Sequence, residues 1–205
     1  MGFDPLTAAL IFSVIAVGAA IGNLFGGWIG DKAAKWSPRR GRILIAQISV
    51  FAGIPLTMII FLIIPMTTNS MLIYILIGAI TGFLITWTAG GTNNPIFSEI
   101  FQPEIRSSVF SVDRLFEGAF GALGTVFVSL VATAIGYHNP PIGADLATLP
   151  YRVTNMTALA WGMFITALIP WIICLIVYSF IYFTYPKDYE KMRVFLENRA
   201  KKLEE

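Results

Sequence analysis

The chain has 205 residues, 56% of them hydrophobic and 13% charged, with a mean hydropathy of +0.73. A soluble domain carries about 25% charged residues, so this composition excludes an ordinary water-soluble globule, and the net charge of +2 matters less than where the charges lie. One histidine (His138) and one cysteine (Cys174) exclude an intrachain disulfide and a zinc site of recognisable spacing.

A helix that crosses a bilayer needs roughly 20 mostly apolar residues. Five runs meet that length: 6–29, 43–64, 71–89, 109–135 and 158–183. They are too long for barrel strands and lack strict alternation. The fold class is therefore all-α integral membrane: a bundle of about five transmembrane helices over 1–185, followed by an amphipathic cytoplasmic tail helix over 186–205.

The first run lacks a basic leader and is too long for the apolar core of a cleavable signal peptide, so it is expected to remain as a span. Gly18, Gly22, Gly26 and Gly30 recur every four residues along it. That register places them on one face, where another helix backbone can approach closely. The first break holds Lys32, Lys35, Arg39, Arg40 and Arg42. The second run contains Pro55, expected to kink it, and the break over 65–70 carries no charge.

The third run leads through Gly90-Gly91 to Asn93-Asn94-Pro95, where irregular backbone can line a cavity or gate. Arg106 and Arg114 flank the next break. Asp113, Arg114 and Glu117 begin the fourth run, and charges inside spans point to function. Two readings stand for them. One is a proton-coupling or substrate site, with Glu117 the stronger candidate because it lies about one turn deeper than Asp113. The other is a second layer of cytoplasmic contacts bridging to Asp31, Lys32 or Arg42. Gly118, Gly121 and Gly124, with Ala119 and Ala122, predict a second close-packing seam.

The break over 136–157 has one basic residue, Arg152. His138 lies there with no ligand partner at useful spacing, and Asn155-Met156-Thr157 matches a glycosylation acceptor but abuts a span. Trp28, Trp87, Trp161 and Trp171 read as interfacial anchors. Pro170 lies within the last run and Pro186 marks its exit. In the tail, Tyr189, Met192, Phe195, Leu196 and Leu203 recur at helical spacing among basic residues, and Glu197 and Lys201 are spaced to pair. This suits a helix on the inner leaflet, or a solvated one.

Basic residues concentrate in the first and third breaks and the tail. The positive-inside rule places those in the cytoplasm and the N-terminus outside. The basic clusters then face anionic lipid, with no nucleic-acid partner expected.

The first break reads Gly27-Trp28-Ile29-Gly30-Asp31-Lys32, an insert over 33–40, then Gly41-Arg42. This resembles the signature loop of the major facilitator superfamily, with Ser37-Pro38 and the Ile43–Gln47 continuation similar to its spinster-like branch. Glu99 and Arg106 in the third break resemble the acidic–basic pair of sugar porters. The resemblance maps the chain onto the eighth to twelfth helices of a twelve-helix transporter. It implies the C-terminal part of a secondary active transporter, moving a small solute or lipid-like molecule by alternating access, as a fragment of a longer product. By resemblance, Asp31, Lys32, Arg42, Glu99 and Arg106 form a cytoplasmic latch. Asp113, Arg114, Glu117, Asn93 and Asn94 are the candidate coupling or substrate groups. The implied partners are the bilayer, a small-molecule substrate, a proton or other coupling ion, and the remaining N-terminal half or another chain. No cofactor, metal or enzymatic activity is expected. The alternative reading is a non-transporting membrane scaffold derived from such a half.

Overall fold

The computed structural model describes residues 5–141, 143–145 and 148–204. Every regular element among them is helical: α1 (Pro5–Trp36), α2 (Gly41–Met58), α3 (Met71–Ile85), α4 (Asn94–Ile100), α5 (Arg106–Ile135) and α6 (Arg152–Glu204). A π-helical turn over Ile59–Ile63 prolongs α2, and another over Ala89–Asn93 links α3 to α4. Together these make five segments long and apolar enough to cross a membrane.

Side-chain exposure is inverted relative to a soluble domain. Leu24 (78% exposed), Phe12 (71%) and Phe183 (72%) point outward, whereas Arg42, Ser49, Thr57, Thr81, Thr92 and Asn155 are buried. The buried hydroxyls find backbone partners, Ser49 donating to the Leu84 carbonyl at 2.6 Å and Thr92 to the Arg42 carbonyl at 2.6 Å. Buried polar groups need such bonds because leaving one unpaired costs about 1–3 kcal/mol.

Helix α1 lies along α3 and the segment that continues it to Asn93, with its four glycines in the contact. A Cβ at Gly18 would stand 2.6 Å from the Ala79 carbonyl oxygen, at Gly26 2.5 Å from Trp87 Cα, and at Gly30 2.5 Å from the Gly91 carbonyl oxygen. Gly22 is held as closely against Phe83. The contacts step four residues along both helices in the same sense, so α1 and α3 run parallel. Helix α2 bridges α1, α3 and α6, and α5 packs mainly on α6. Gly136, with φ 112°, ends α5 in the left-handed conformation that glycine adopts without a Cβ penalty.

Several local expectations are displaced by tertiary contacts. The third run does not end near residue 89: helical backbone continues through the Ala89–Asn93 turn to Ile100, with Pro95 in the first turn of α4. Pro186 does not interrupt the helix either, because α6 runs unbroken for 53 residues. Tyr185 is buried beside it and Arg199 farther along pairs with Glu104 of the α4–α5 link, so the helix is fastened on both sides of the proline. At 1.5 Å per residue α6 extends about 80 Å, far beyond the ~30 Å of a hydrocarbon core. The tail is thus the continuation of α6, and within it Glu197 faces Arg193 at 3.7 Å instead of Lys201.

A Cβ at Gly118, Gly121 or Gly124 of α5 would meet nothing from another helix within 4 Å among the described residues, so these glycines form no seam inside this chain. Of the four tryptophans read as interfacial anchors, two pack inside the chain: Trp87 is buried against Gly26, and Trp171 covers Gly53 of α2. Trp28 and Trp161 remain exposed.

Candidate functional site

The most tightly built polar site lies where α2 begins. Gly41 brings this turn against the Ala33 carbonyl of α1 more closely than any Cβ would permit. The next residue, Arg42, is buried, its side chain 10% exposed. Its Nε donates to Glu99 Oε1 at 3.1 Å, its Nη2 to Asp31 Oδ1 at 3.0 Å, and its Nη1 points at the Gly91 carbonyl oxygen at 3.4 Å. A guanidinium has five donors in a fixed fork and cannot be deprotonated in a protein, so it can hold three acceptors at once.

The arrangement answers two electrostatic problems together. A cation near the N-terminus of α2 and a carboxylate near the C-terminal end of α1 each oppose their own helix dipole. Placed 3.0 Å apart, they offset one another. Glu99 of α4 adds a second carboxylate, and Tyr185 of α6 donates its hydroxyl to Glu99 Oε2. Thr92 ties down the Arg42 carbonyl. One guanidinium therefore links α1, α2, the Ala89–Asn93 turn and α4 directly, and reaches α6 through Glu99. Asp31 is the open side, 66% exposed. It borders a cleft of about 330 Å³ that Lys35, Pro38 and Tyr189 also line.

Two residues grouped with this cluster by resemblance lie elsewhere. Lys32 Nζ sits 4.3 Å over the Trp28 ring, a cation–π contact. Arg106 donates through Nε to the Phe101 carbonyl at 3.1 Å, closing the short link between α4 and α5. Its expected partner Glu99 is taken by Arg42 and Tyr185.

Tyr185 was not singled out by sequence reasoning, although a signal existed. Tyr178, Tyr182, Tyr185 and Tyr189 recur at helical spacing along α6. Tyr178 donates to Asn93 Oδ1 at 2.8 Å, and Tyr182 to Gln47 Oε1 at 3.0 Å, while Gln47 Nε2 donates to Ser179 at 3.0 Å. The stripe sews α6 to α2 and to the turn before α4.

A second polar group sits on α5. Arg114 pairs with Glu117 and reaches Asn94 Oδ1 at 3.4 Å, with Asp113 Oδ2 4.0 Å from its Nε. Among the described residues none of the three pairs with Asp31, Lys32 or Arg42, so they do not form a second layer on that cluster. Arg114 and Glu117 are 53% and 62% exposed. The enclosure required by the coupling reading is not supplied by this chain's own helices. Asn93 and Asn94, adjacent in sequence, part ways: one bonds to α6 and the other to α5.

At the opposite end, Asn155 accepts from the His138 N–H at 2.8 Å and donates to the His138 carbonyl at 2.8 Å. The glycosylation match thus falls on a buried amide that closes the α5–α6 loop.

No family model, curated protein or solved structure gives a significant match to this chain.

Proposed function

We propose that the chain is a multi-pass membrane protein and supplies part of the C-terminal half of a major-facilitator-type secondary transporter. Its N-terminus faces outward, and the Arg42 end and the tail of α6 lie in the cytoplasm. The observation that carries this reading is the meeting of Asp31, Arg42 and Glu99 at one end of the bundle. These residues come from the two breaks that carry the family resemblance, and they are joined through a single buried guanidinium. The apolar exterior and the five segments of spanning length support the membrane placement.

Such a cluster suits a latch. A buried ion pair contributes little net stability, yet breaking it by removing one partner is costly. It is therefore either made or cleanly separated, which is the behaviour required of a two-state element in rocking-type transport. Closed, it fastens four helices at the cytoplasmic face. Opened, it releases α1 from α4 and α6 and admits solute from that side.

Orientation is tested by labelling sealed vesicles with a membrane-impermeant maleimide in a Cys174→Ser background. Cysteine at Lys35 is expected to react only from the cytoplasmic side and cysteine at Asn139 only from the other. Equal reaction of both from one side would overturn the topology. Transport is tested by screening small solutes and lipid-like molecules for a change in Lys35→Cys labelling: a transported solute shifts it, and a scaffold shows no response to any.

A further inference from the structure

We propose that the groove between the α1–α2 loop and the emerging part of α6 binds the phosphorylated headgroup of an anionic lipid, of the phosphoinositide class. The proposal rests on the membrane placement given above and goes beyond it, to a defined lipid site.

The groove has a volume of about 620 Å³ and is lined by Arg39, Pro186, Lys187, Glu190, Lys191 and Val194. That size falls within the roughly 300–1,000 Å³ of small-ligand sites. Its cations come from two elements distant in sequence, so the fold assembles the charge. The carboxylates nearby are already occupied: Glu190 is 2.6 Å from Arg193, and Asp188 is 3.5 Å from Lys191. Among the described residues, Arg39 and Lys187 have no carboxylate within ion-pair distance. Both are exposed, and Arg40 follows in the same loop. Arg39, Arg40 and Lys187, clustered without a carboxylate partner among the described residues, favour a ligand bearing several phosphate charges over one bearing a single charge.

The pattern along α6 favours a lipid over a soluble polyphosphate. Phe180, Phe183, Lys187, Lys191 and Val194 are spaced three or four residues apart and therefore share one face. Phe180 and Phe183 are exposed, so the face passes from apolar to cationic where α6 leaves its apolar run. An acyl chain can lie along the aromatic part while the headgroup reaches the lysines and Arg39. Trp36, 79% exposed at the end of α1, is an amphipathic ring suited to the same interfacial depth.

The test uses the full chain in phosphatidylcholine nanodiscs, scoring bound phosphatidylinositol bisphosphate by native mass spectrometry. Phosphatidylserine at matched total charge and soluble inositol trisphosphate serve as competitors. The expected result is retention of the phosphoinositide against phosphatidylserine, reduced at least tenfold in Arg39→Gln/Lys187→Gln. Lys201→Gln/Lys202→Gln, with the same charge change at the far end of α6, is expected to bind as the parent does. Equal losses in the two double variants would overturn the site, leaving diffuse attraction of a basic tail. Competition by inositol trisphosphate as effective as that of the diacyl lipid would also overturn it, in favour of a soluble polyphosphate. A chain that fails to enter the discs contradicts the membrane placement and the lipid site with it, whereas one that enters and binds indifferently contradicts the site alone.

Discussion

Arg42 and Glu99 lie 57 positions apart in the chain and meet at 3.1 Å, the guanidinium 10% exposed and the carboxylate 26%. Removing one partner of such a pair strands the other in a poorly solvated place. Arg42→Ala is expected to destabilise the protein by about 3–5 kcal/mol. Glu99→Gln, which keeps an acceptor and removes the charge, should cost less. Thermal unfolding in detergent checks both. The double variant Arg42→Gln/Glu99→Gln should lose less than the sum of its single changes, because neither group is then left as an unpaired charge.

Tyr185 donates to the carboxylate oxygen of Glu99 that Arg42 does not hold. Tyr185→Phe keeps the buried ring and removes that single bond. Hydrogen bonds to charged groups contribute about 1.5–3 kcal/mol, so a fall in thermal stability of that order is expected. A variant as stable as the parent would show that the hydroxyl does not hold Glu99.

The glycines of α1 and α5 should respond in opposite ways. Gly26→Val places a branched side chain against the Trp87 backbone, 2.5 Å from its Cα at the first added atom. Because backbone cannot yield as a flexible side chain does, the loss should exceed the 1–3 kcal/mol typical of overpacking. Gly121→Ala, in the interior of α5, meets nothing within 4 Å and should stabilise this chain by about 0.4–1 kcal/mol, because alanine is the better helix former and loses less backbone entropy on folding. Melting curves of the two variants, run side by side, provide the comparison.

Much of this was legible in the sequence, within limits set by physics. The four-residue glycine register identified the close-approach face of α1, because periodicity alone fixes which residues share a face. It could not identify the other side: Ala79, Phe83, Trp87 and Gly91 have no residue type in common, and what they offer is backbone. The proximity of Asp31 to Arg42 could be argued from opposed helix dipoles across a short loop. The fate of Glu99 could not. Arg106 was its near neighbour in sequence, but the fold supplied Arg42 and Tyr185 from distant helices and left Arg106 to the Phe101 carbonyl. Pro186 shows the same override, a local breaker contained by the contacts on either side of it. The α5 glycines show the converse, a packing pattern with no partner in the described residues.

Asn155 should remain unmodified when the chain is made in membranes competent for glycosylation. Its amide is buried and bonded at both ends to the His138 backbone. No endoglycosidase-sensitive mobility shift is expected on a gel. Asn155→Ala removes both bonds and should lower stability by about 1–3 kcal/mol.

The central claim is that Arg42 fastens the ends of α1, α4 and α6, and labelling kinetics test it most directly. In a Cys174→Ser background, a cysteine at Ala34, which lines the cleft beside Asp31 and Arg42, reports whether that end is closed. Introducing Asp31→Asn or Arg42→Gln is expected to raise the maleimide reaction rate several-fold, with the larger rise for Arg42→Gln because it also releases Glu99. A labelling rate unchanged by either substitution would contradict the latch.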